Sequence, residues 1–496
     1  MGPHSGAKVA AGKVGKGPME AVEQFAGLAS DSREVKPGYL FAALPGSKAN
    51  GAQFLKDAVA RGAVAVLGPP EVAAATAALG VRFIAADNPR QELGYYAARF
   101  YAGQPSTVAA VTGTNGKTSI TVFLREIWTA LGKRAASMGT IGVVTPTGVT
   151  KLNHTTPGPI ELHRILAKLK RDGIDCLAVE ASSHGLDQFR LAGTDLAAVG
   201  FTNISRDHMD YHPTFEAYLA CKLRLFCELA RDGAAAVVNA DSYHAKDFIA
   251  AAKARGLKLL TVGEKGETLK LLARAPNGDG QSLSVAHGGK TYDIALPLAG
   301  AFQASNALMA AGFAIGLGEE AAAVFAALAA LKGAPGRLEK AAYAKSGAPV
   351  FVDYAHTPDA LENVLTALRP HTKGKLSVVF GCGGDRDTGK RPLMGAAAAK
   401  FADRVIVTDD NPRSEDPAAI RTQALAGCPG AREIGDRAEA IRAAIAELGE
   451  GDVLVIAGKG HESGQIVGAT VHPFSDRDEA IKAAVALGGR PAENKP

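Results

Sequence analysis

The chain has 496 residues, of which 47% are hydrophobic and 21% charged, so it is neither disordered nor collagen-like. At roughly 150 residues per domain it is long enough for about three domains. Lys and Arg exceed Asp and Glu by only five, 55 against 50, and the basic residues are dispersed. This argues against nucleic acid as a partner and leaves small anionic substrates as the better match.

No stretch reaches the roughly 18 uninterrupted apolar residues of a membrane span, so no membrane insertion is expected. The longest apolar run, Ala321 to Leu331, reads as a core helix. Five cysteines, Cys176, Cys221, Cys227, Cys382 and Cys428, lack CxxC or CxxxH spacing and are expected to be the reduced thiols of a cytoplasmic protein. Met1 to Gly17 has no apolar core of the signal-peptide kind and is expected to be a flexible tail.

From Met19 to Gly103, short apolar runs (Gly38 to Ala43, Ala63 to Leu67, Val81 to Ala85) alternate with turn residues and predict a small α/β domain. Gln104-Pro105 breaks the chain before a strand over Ser106 to Val111, a glycine-rich turn, and a helix to Leu131. Four further runs, Cys176 to Val179, Ala197 to Phe201, Ala235 to Val238 and Leu259 to Val262, predict buried strands of a mostly parallel sheet. After Gly333-Ala334-Pro335-Gly336-Arg337 the pattern restarts with Val350 to Val352, Leu376 to Phe380, Val405 to Val407 and Val453 to Ala457. The expected domains are 19–103, 104–337 and 338–496.

The turn after the first strand of the middle domain reads Gly113-Thr114-Asn115-Gly116-Lys117-Thr118-Ser119. Such a turn between a buried strand and a helix offers backbone N–H groups and a helix N-terminus to phosphate oxygens. Lys117 would neutralise the outer phosphates, and the Thr118 hydroxyl is placed for Mg²⁺. The strict P-loop spacing requires glycine at Val111, so this is a shortened variant. A second glycine cluster, Gly381-Cys382-Gly383-Gly384-Asp385-Arg386, fails as a dinucleotide fingerprint because its sixth position is Arg386 and no apolar helix follows. A nicotinamide enzyme is not favoured.

Glu180 ends a predicted strand, where open α/β sheets bind ligands. Another strand leads into Asn203-Ile204-Ser205-Arg206-Asp207-His208-Met209-Asp210-Tyr211-His212, a loop too rich in ionisable groups to serve packing alone. Carboxylates and hydroxyls suit Mg²⁺. His208 reads equally well as a metal ligand or as a capped-loop histidine, and His154-Thr155-Thr156-Pro157 as a polar site or a simple turn.

Together these motifs resemble the Mur ligase family, ATP-dependent amino-acid ligases of peptidoglycan precursor synthesis. The resemblance runs from about Ala21 to Leu487 and is carried by Gly113 to Thr118, Glu180 to His184, Asn203 to His212, Asn306, Pro335-Gly336-Arg337-Leu338-Glu339 and Asp353-Tyr354-Ala355-His356-Thr357-Pro358. It implies an α/β protein of three domains: a central P-loop-type parallel-sheet ATPase domain flanked by a small N-terminal α/β domain and a Rossmann-like C-terminal domain. Asp410-Asn411-Pro412-Arg413 looks like the selectivity motif of the diaminopimelate-adding members. An arginine there can pair with the second carboxylate of meso-diaminopimelate, which lysine lacks.

Carried over by motif, Gly113, Thr114, Asn115, Gly116, Lys117, Thr118, Ser119, Asn306, Arg337, Asp353 and His356 would bind ATP. Thr118, Glu180 and His208 would hold Mg²⁺, and Lys222 matches the lysine that the family carbamylates; helical periodicity alone predicts Lys222 on a solvated surface. Lys117, Glu180, His208 and Lys222 form the implied catalytic set. UDP-N-acetylmuramoyl-dipeptide would meet Ser30, Asp31, Ser32 and Arg33 at its uridine end, and Asn153, His154, Thr155, Thr156, Ser183, Gln188 and Arg190 around the sugar and dipeptide. Diaminopimelate would meet Arg386, Asp410, Asn411, Pro412, Arg413, Gly458 and Glu462. Gln303 and Ala334 depart from the common Asn and Val of the family. A monomer is expected. The alternatives are a lysine-adding relative, a folylpolyglutamate synthase-like ligase and a non-enzymatic P-loop switch.

Overall fold

The computed structural model describes residues 24–46 and 50–492. The tail Met1 to Gly17 and the expected domain start at Met19 lie outside them. Alternation along one strand explains the layering. In Thr107–Thr112, Val108 and Ala110 pack into one core and Ala109 and Val111 into another, all of them buried. A strand buried on both faces needs helices on both sides.

The chain divides into two units, one ending at Gly103 and one beginning at Gln104. In the first, β1 (Gly27–Ala29), β2 (Tyr39–Ala42), β3 (Ala63–Gly68) and β4 (Arg82–Ala85) form a parallel sheet in that order. These strands match the three predicted runs and add β1.

The second unit carries two large sheets. The strands of the larger are β5 (Thr107–Thr112), β6 (Ala135–Gly139), β7 (Gly142–Thr145), β8 (Gly148–Thr150), β9 (Cys176–Glu180), β10 (Leu196–Phe201), β11 (Ala230–Asn239), β12 (Lys258–Gly263), β13 (Leu269–Asn277), β14 (Gly280–His287) and β15 (Lys290–Leu296). Their order is β15-β14-β13-β12-β11-β10-β5-β9-β6-β7-β8. The interior pairs are parallel, as the apolar runs predict, whereas β13–β15 and β6–β8 are antiparallel edges that the run analysis did not anticipate. β7, β8 and β13–β15 are wholly or partly exposed along their length, and β6, though fully buried, is the short run AASMG of mostly small residues, so none of them reads as a long apolar run. Gly288 and Gly289, both at positive φ, make the two-residue hairpin turn between β14 and β15.

Helices Lys117–Ala130, Ala301–Gly316 and Ala321–Leu328 cover one face of this sheet. Pro159–Arg171, Phe215–Arg224 and Ala245–Ala254 cover the other. The run at Ala321 is thus a core helix.

The remaining strands are β16 (Glu339–Tyr343), β17 (Pro349–Asp353), β18 (Leu376–Phe380), β19 (Arg404–Val407), β20 (Arg432–Glu433), β21 (Val453–Ala457), β22 (Gly464–Val467), β23 (Thr470–Pro473) and β24 (Arg490–Pro491). Seven of them form a sheet in the order β20-β19-β18-β21-β17-β16-β24, parallel from β20 to β17, and β22 and β23 make a separate hairpin. Helices sandwich this sheet as well. Gly381 to Arg386 leads to no immediate helix; the next begins at Lys390. All five cysteines are free, and among the described residues no helix is long and apolar enough to cross a membrane.

Candidate active site

β5 lies between β9 and β10, so three carboxyl ends converge at the middle of the larger sheet. Gly113 (φ 150°) and Gly116 (φ 91°) turn the chain there in conformations that side chains resist. A Cβ at Gly113 would strike the Thr202 hydroxyl, and one at Gly116 the Asn306 amide. The loop is tied to the end of β10: Thr114 N–H donates to Asn203 O (2.8 Å) and Asn115 N–H to Asn203 Oδ1 (3.0 Å).

Lys117 Nζ donates to Gly113 O (2.8 Å) and Thr114 O (2.9 Å), and Lys222 Nζ donates to the same Gly113 carbonyl at 2.8 Å. Lys222 is 1% exposed, which overturns the surface position that helical periodicity predicts. Its helix packs a polar face against the glycine loop rather than toward water. Burial, and then the neighbouring Lys117 charge, hold the Lys222 amine well below the ordinary lysine range.

Glu180, at the end of β9, is buried. Its carboxylate accepts from Thr118 Oγ1 (3.0 Å), Thr140 N–H (2.8 Å) and Thr140 Oγ1 (3.2 Å). A Cβ at Gly139 would occupy the space of this carboxylate. Among the described residues Glu180 has no ion pair. A buried carboxylate without a cation, beside a hydroxyl, is a hard-oxygen pair that fits Mg²⁺, which takes few protein ligands and completes its shell with phosphates and water. His208 sits apart from this pair in hydrogen bonding. It has φ 55°, faces Asp207 at 3.5 Å, and its ring lies 5.1 Å from that of His184.

Beside Glu180 a polar chain gathers several of the predicted substrate residues. Thr156 Oγ1 donates to Glu180 O (2.7 Å), Arg190 Nη1 to Thr156 O (2.6 Å), and Arg190 Nη2 to Gln188 Oε1 (2.8 Å). Gln188 Nε2 in turn donates to Tyr211 OH (3.1 Å), which donates to Asp187 Oδ2 (2.6 Å). Thr155 and Thr140 share a hydroxyl contact of 3.1 Å. Among the described residues Ser183 Oγ is buried without a partner, while Asn153 and His154 lie exposed on the preceding loop. In the first unit, Ser30 to Arg33 follow β1; Ser32 is buried, and Arg33 Nη2 pairs with Asp31 Oδ2 at 2.6 Å.

Asn306 Nδ2 donates to Gln303 Oε1 (3.2 Å) and Gln303 Nε2 to Arg337 O (2.8 Å), so the helix facing the glycine loop also holds the crossover into the last sheet. The Arg337 guanidinium stacks over the Tyr354 ring at 4.5 Å. Asp353 accepts from Leu338 N–H (2.6 Å) and Ala355 N–H (2.7 Å), and burial pushes its carboxyl up to about 6. His356 Nδ1 lies 2.9 Å from Tyr354 O. His461 has a buried Nδ1 without a partner among the described residues, and burial, then the Arg337 charge, hold its imidazole down to about 4.

At the carboxyl ends of β18, β19 and β21, three loops interlock. Gly384 N–H donates to Asn411 O (2.9 Å), and Arg413 Nη1 donates to Gly384 O (2.8 Å). Arg413 (φ 52°) is clamped to the β22 strand: its N–H donates to Ile466 O (3.0 Å), and its carbonyl accepts from Gly468 N–H (2.7 Å). Among the described residues, the remaining guanidinium N–H groups of Arg413 have no partner. Asn411 Nδ2 donates to Glu462 Oε2 at 3.0 Å. Gly458, at φ 121°, brings the backbone close to the Asp410 carboxylate. Arg386 is exposed and donates to Asp385 O (3.2 Å).

Three family descriptions match the chain: "Mur ligase family, catalytic domain" over residues 24–101, "Mur ligase middle domain" over 111–314 and "Mur ligase, glutamate ligase domain" over 336–460. The chain belongs to the Mur ligase family. It is therefore an ATP-dependent ligase. Among the relatives of this Mur ligase is a protein of Bradyrhizobium diazoefficiens, named UDP-N-acetylmuramoyl-L-alanyl-D-glutamate--2,6-diaminopimelate ligase. It is 57% identical over 95% of this chain and 96% of its own length. A Caulobacter vibrioides protein of the same name is 54% identical over 92% of this chain and 95% of its own. A solved structure of that name superposes with a TM-score of 0.71 at 37% identity, covering 94% of this chain and 95% of its own.

Around the loops of this Mur ligase lie buried charged residues that the sequence reading did not single out. Arg391, fully buried, donates to both Glu415 oxygens at 2.8 Å and to Gly383 O at 3.2 Å, bracing the glycine cluster. Arg437 and Asp476, both buried, form a bidentate pair at 2.7 and 2.8 Å under the ends of β19 and β21. Lys459 is 0% exposed beneath Asn411. Arg391 meets Glu415 24 residues away, Arg437 meets Asp476 39 away and Lys459 meets Asn411 48 away, contacts that local spacing does not reveal.

Proposed function

We propose that this chain joins an amino group of meso-diaminopimelate to the D-glutamate carboxylate of UDP-N-acetylmuramoyl-L-alanyl-D-glutamate, using ATP, in peptidoglycan precursor synthesis. Support comes from the relatives' shared name over nearly the full chain. The observation that carries the choice of amino acid is the Arg413 guanidinium, held at one nitrogen by backbone carbonyls, its other N–H groups without a partner among the described residues. A carboxylate can take that free edge in a forked pair.

The carboxylate must first be activated, because oxide is a poor leaving group and phosphate a good one. The D-glutamate oxygen attacks the γ-phosphorus of ATP, ADP leaves, and an acyl phosphate forms. The free amine then attacks the acyl carbon, and the tetrahedral intermediate expels phosphate. Lys117 and the loop N–H groups position and neutralise the phosphates, with Asn306, Arg337, Asp353 and His356 around the nucleotide. Thr118 and Glu180, with His208 from the neighbouring loop, would hold Mg²⁺, which when bound offsets phosphate charge. Ser30, Asp31, Ser32 and Arg33 serve the uridine end, and Asn153, His154, Thr155, Thr156, Ser183, Gln188 and Arg190 the sugar and dipeptide. Diaminopimelate is bound by Arg386, Asp410 to Arg413, Gly458 and Glu462.

Lys222 is carbamylated in this reading. Burial favours its neutral amine, whose nitrogen attacks CO₂, forming the C–N bond and releasing a proton. The enzyme works as a cytoplasmic monomer, with the sugar nucleotide handled by 19–103, ATP by 104–337 and the amino acid by 338–496. An ADP-release assay with UDP-N-acetylmuramoyl-dipeptide and meso-diaminopimelate, L-lysine or glutamate tests the reaction. Preference for diaminopimelate is expected. Preference for lysine overturns the selectivity, preference for glutamate points to a folylpolyglutamate synthase-like ligase, and no turnover overturns the enzyme.

A further inference from the structure

Asn411 is a swivelling amide, and nothing in its own side chain decides which way the oxygen points. Two donors decide it here. Lys459 Nζ reaches Asn411 Oδ1 at 2.9 Å, and Ile466 N–H reaches the same oxygen at 2.9 Å. With Oδ1 saturated on that side, Nδ2 is turned toward Glu462 Oε2, 3.0 Å away. The same Lys459 Nζ stands 3.4 Å from Asp410 Oδ1 and 3.4 Å from Glu462 Oε2. One ammonium thus faces two carboxylates and leaves a single uncompensated negative charge. Arg413, on the same loop as Asn411, presents an N–H edge that has no partner among the described residues. A net anion and a guanidinium edge together match the ammonium and carboxylate of an α-amino-acid centre.

We propose that Lys459 is a positioning residue for diaminopimelate selection: it sets the orientation of the Asn411 amide and the charge of the Asp410–Glu462 pair without touching substrate. Being fully buried, it has no surface role to lose. The inference rests on the proposed reaction and refines its amino-acid site.

The test is steady-state kinetics of the full chain with each substrate varied in turn. In Lys459→Met the KM for meso-diaminopimelate is expected to rise about tenfold or more, the loss of a charged hydrogen bond. The KM values for ATP and the sugar nucleotide should stay within about twofold of the parent's, and kcat within about threefold, because nothing at the glycine loop changes. A parallel rise of all three KM values would mean a merely structural role and overturn the proposal, as would an unchanged diaminopimelate KM.

Should Lys459→Met not fold, the pair Asp410→Asn and Asp410→Asn/Lys459→Met keeps the question open to a result, since the double variant retains one net negative charge in the pocket. The double variant is expected to show a diaminopimelate KM about fivefold or more above that of Asp410→Asn, and equal values overturn the positioning role. A parent enzyme that does not use diaminopimelate would overturn the proposed reaction itself; a parent that does, with indifferent variants, overturns Lys459 alone.

Discussion

The loop Gly113 to Lys117 and the loop Asp410 to Arg413 both leave the carboxyl ends of parallel strands, yet they are held in different ways. The first takes its turn from two glycines at positive φ and a lysine that folds back onto carbonyls three and four residues away, and remote residues reach it chiefly through its backbone groups, Asn203 at Thr114 and Asn115 and Lys222 at Gly113. The second is held by side chains and strands remote in sequence: Lys459, Glu462 and the β22 hairpin. A loop gripped through its backbone, with its turn set by its own glycines, suits one chemistry, charge stabilisation. A loop braced from several directions can be retuned piece by piece, which suits the choice between similar amino acids.

The contrast is broken most directly at Lys117. Lys117→Ala should lower kcat by about a thousandfold with the KM for diaminopimelate little changed; a loss seen only in that KM would make the two sites one. Next is Arg413→Ala, expected to raise the diaminopimelate KM by about a hundredfold while leaving ATP use intact. Arg413→Lys should recover little of this, because an ammonium cannot form the fork.

Gly384→Ala sharpens the comparison, since its Cβ would run into the Pro412 carbonyl. A stability loss of about 1–3 kcal/mol by chemical denaturation, with diaminopimelate KM affected more than ATP KM, is the expected outcome. A smaller effect is expected from pH. His461 titrates at about 4 in the folded chain, below its ordinary value, so the unfolded chain binds more protons between that value and about 6.5. Stability contributed by this group is therefore present above about 6.5 and lost as pH falls toward 4. His461→Phe should flatten that part of a melting-temperature profile. Least of all should the radius of gyration move: small-angle scattering with an ATP analogue and dipeptide substrate is expected to record a slight contraction as the last domain closes on the middle one.

Much of this architecture was legible beforehand for a physical reason. A parallel strand buried on both faces must be a short apolar run, and every run predicted in the second unit is a strand. The exposed strands β7, β8 and β13–β15 escaped because alternation over a few residues is easily masked, and buried β6 because its residues are mostly small. The glycine loop, Glu180 and Asp410 to Arg413 were visible because their chemistry sits in consecutive residues.

Lys222, which the family resemblance implies but helical spacing puts on the surface, and Lys459, which the sequence reading did not single out, mark the boundary between the two kinds of information. Sequence by itself determined the buried parallel strands, the glycine-rich turn that follows the first of them in the larger sheet, and the Asp410-Asn411-Pro412-Arg413 motif, since backbone conformation and hydrophobic burial are encoded over a few neighbouring positions. Only the tertiary structure decided that Lys222 meets Gly113, 109 residues away, and that Lys459 sets the Asn411 amide, 48 residues away. A lysine's spacing on a helix or loop fixes its direction, but the energy of burying its ammonium depends on which carbonyls and carboxylates the rest of the fold brings to meet it.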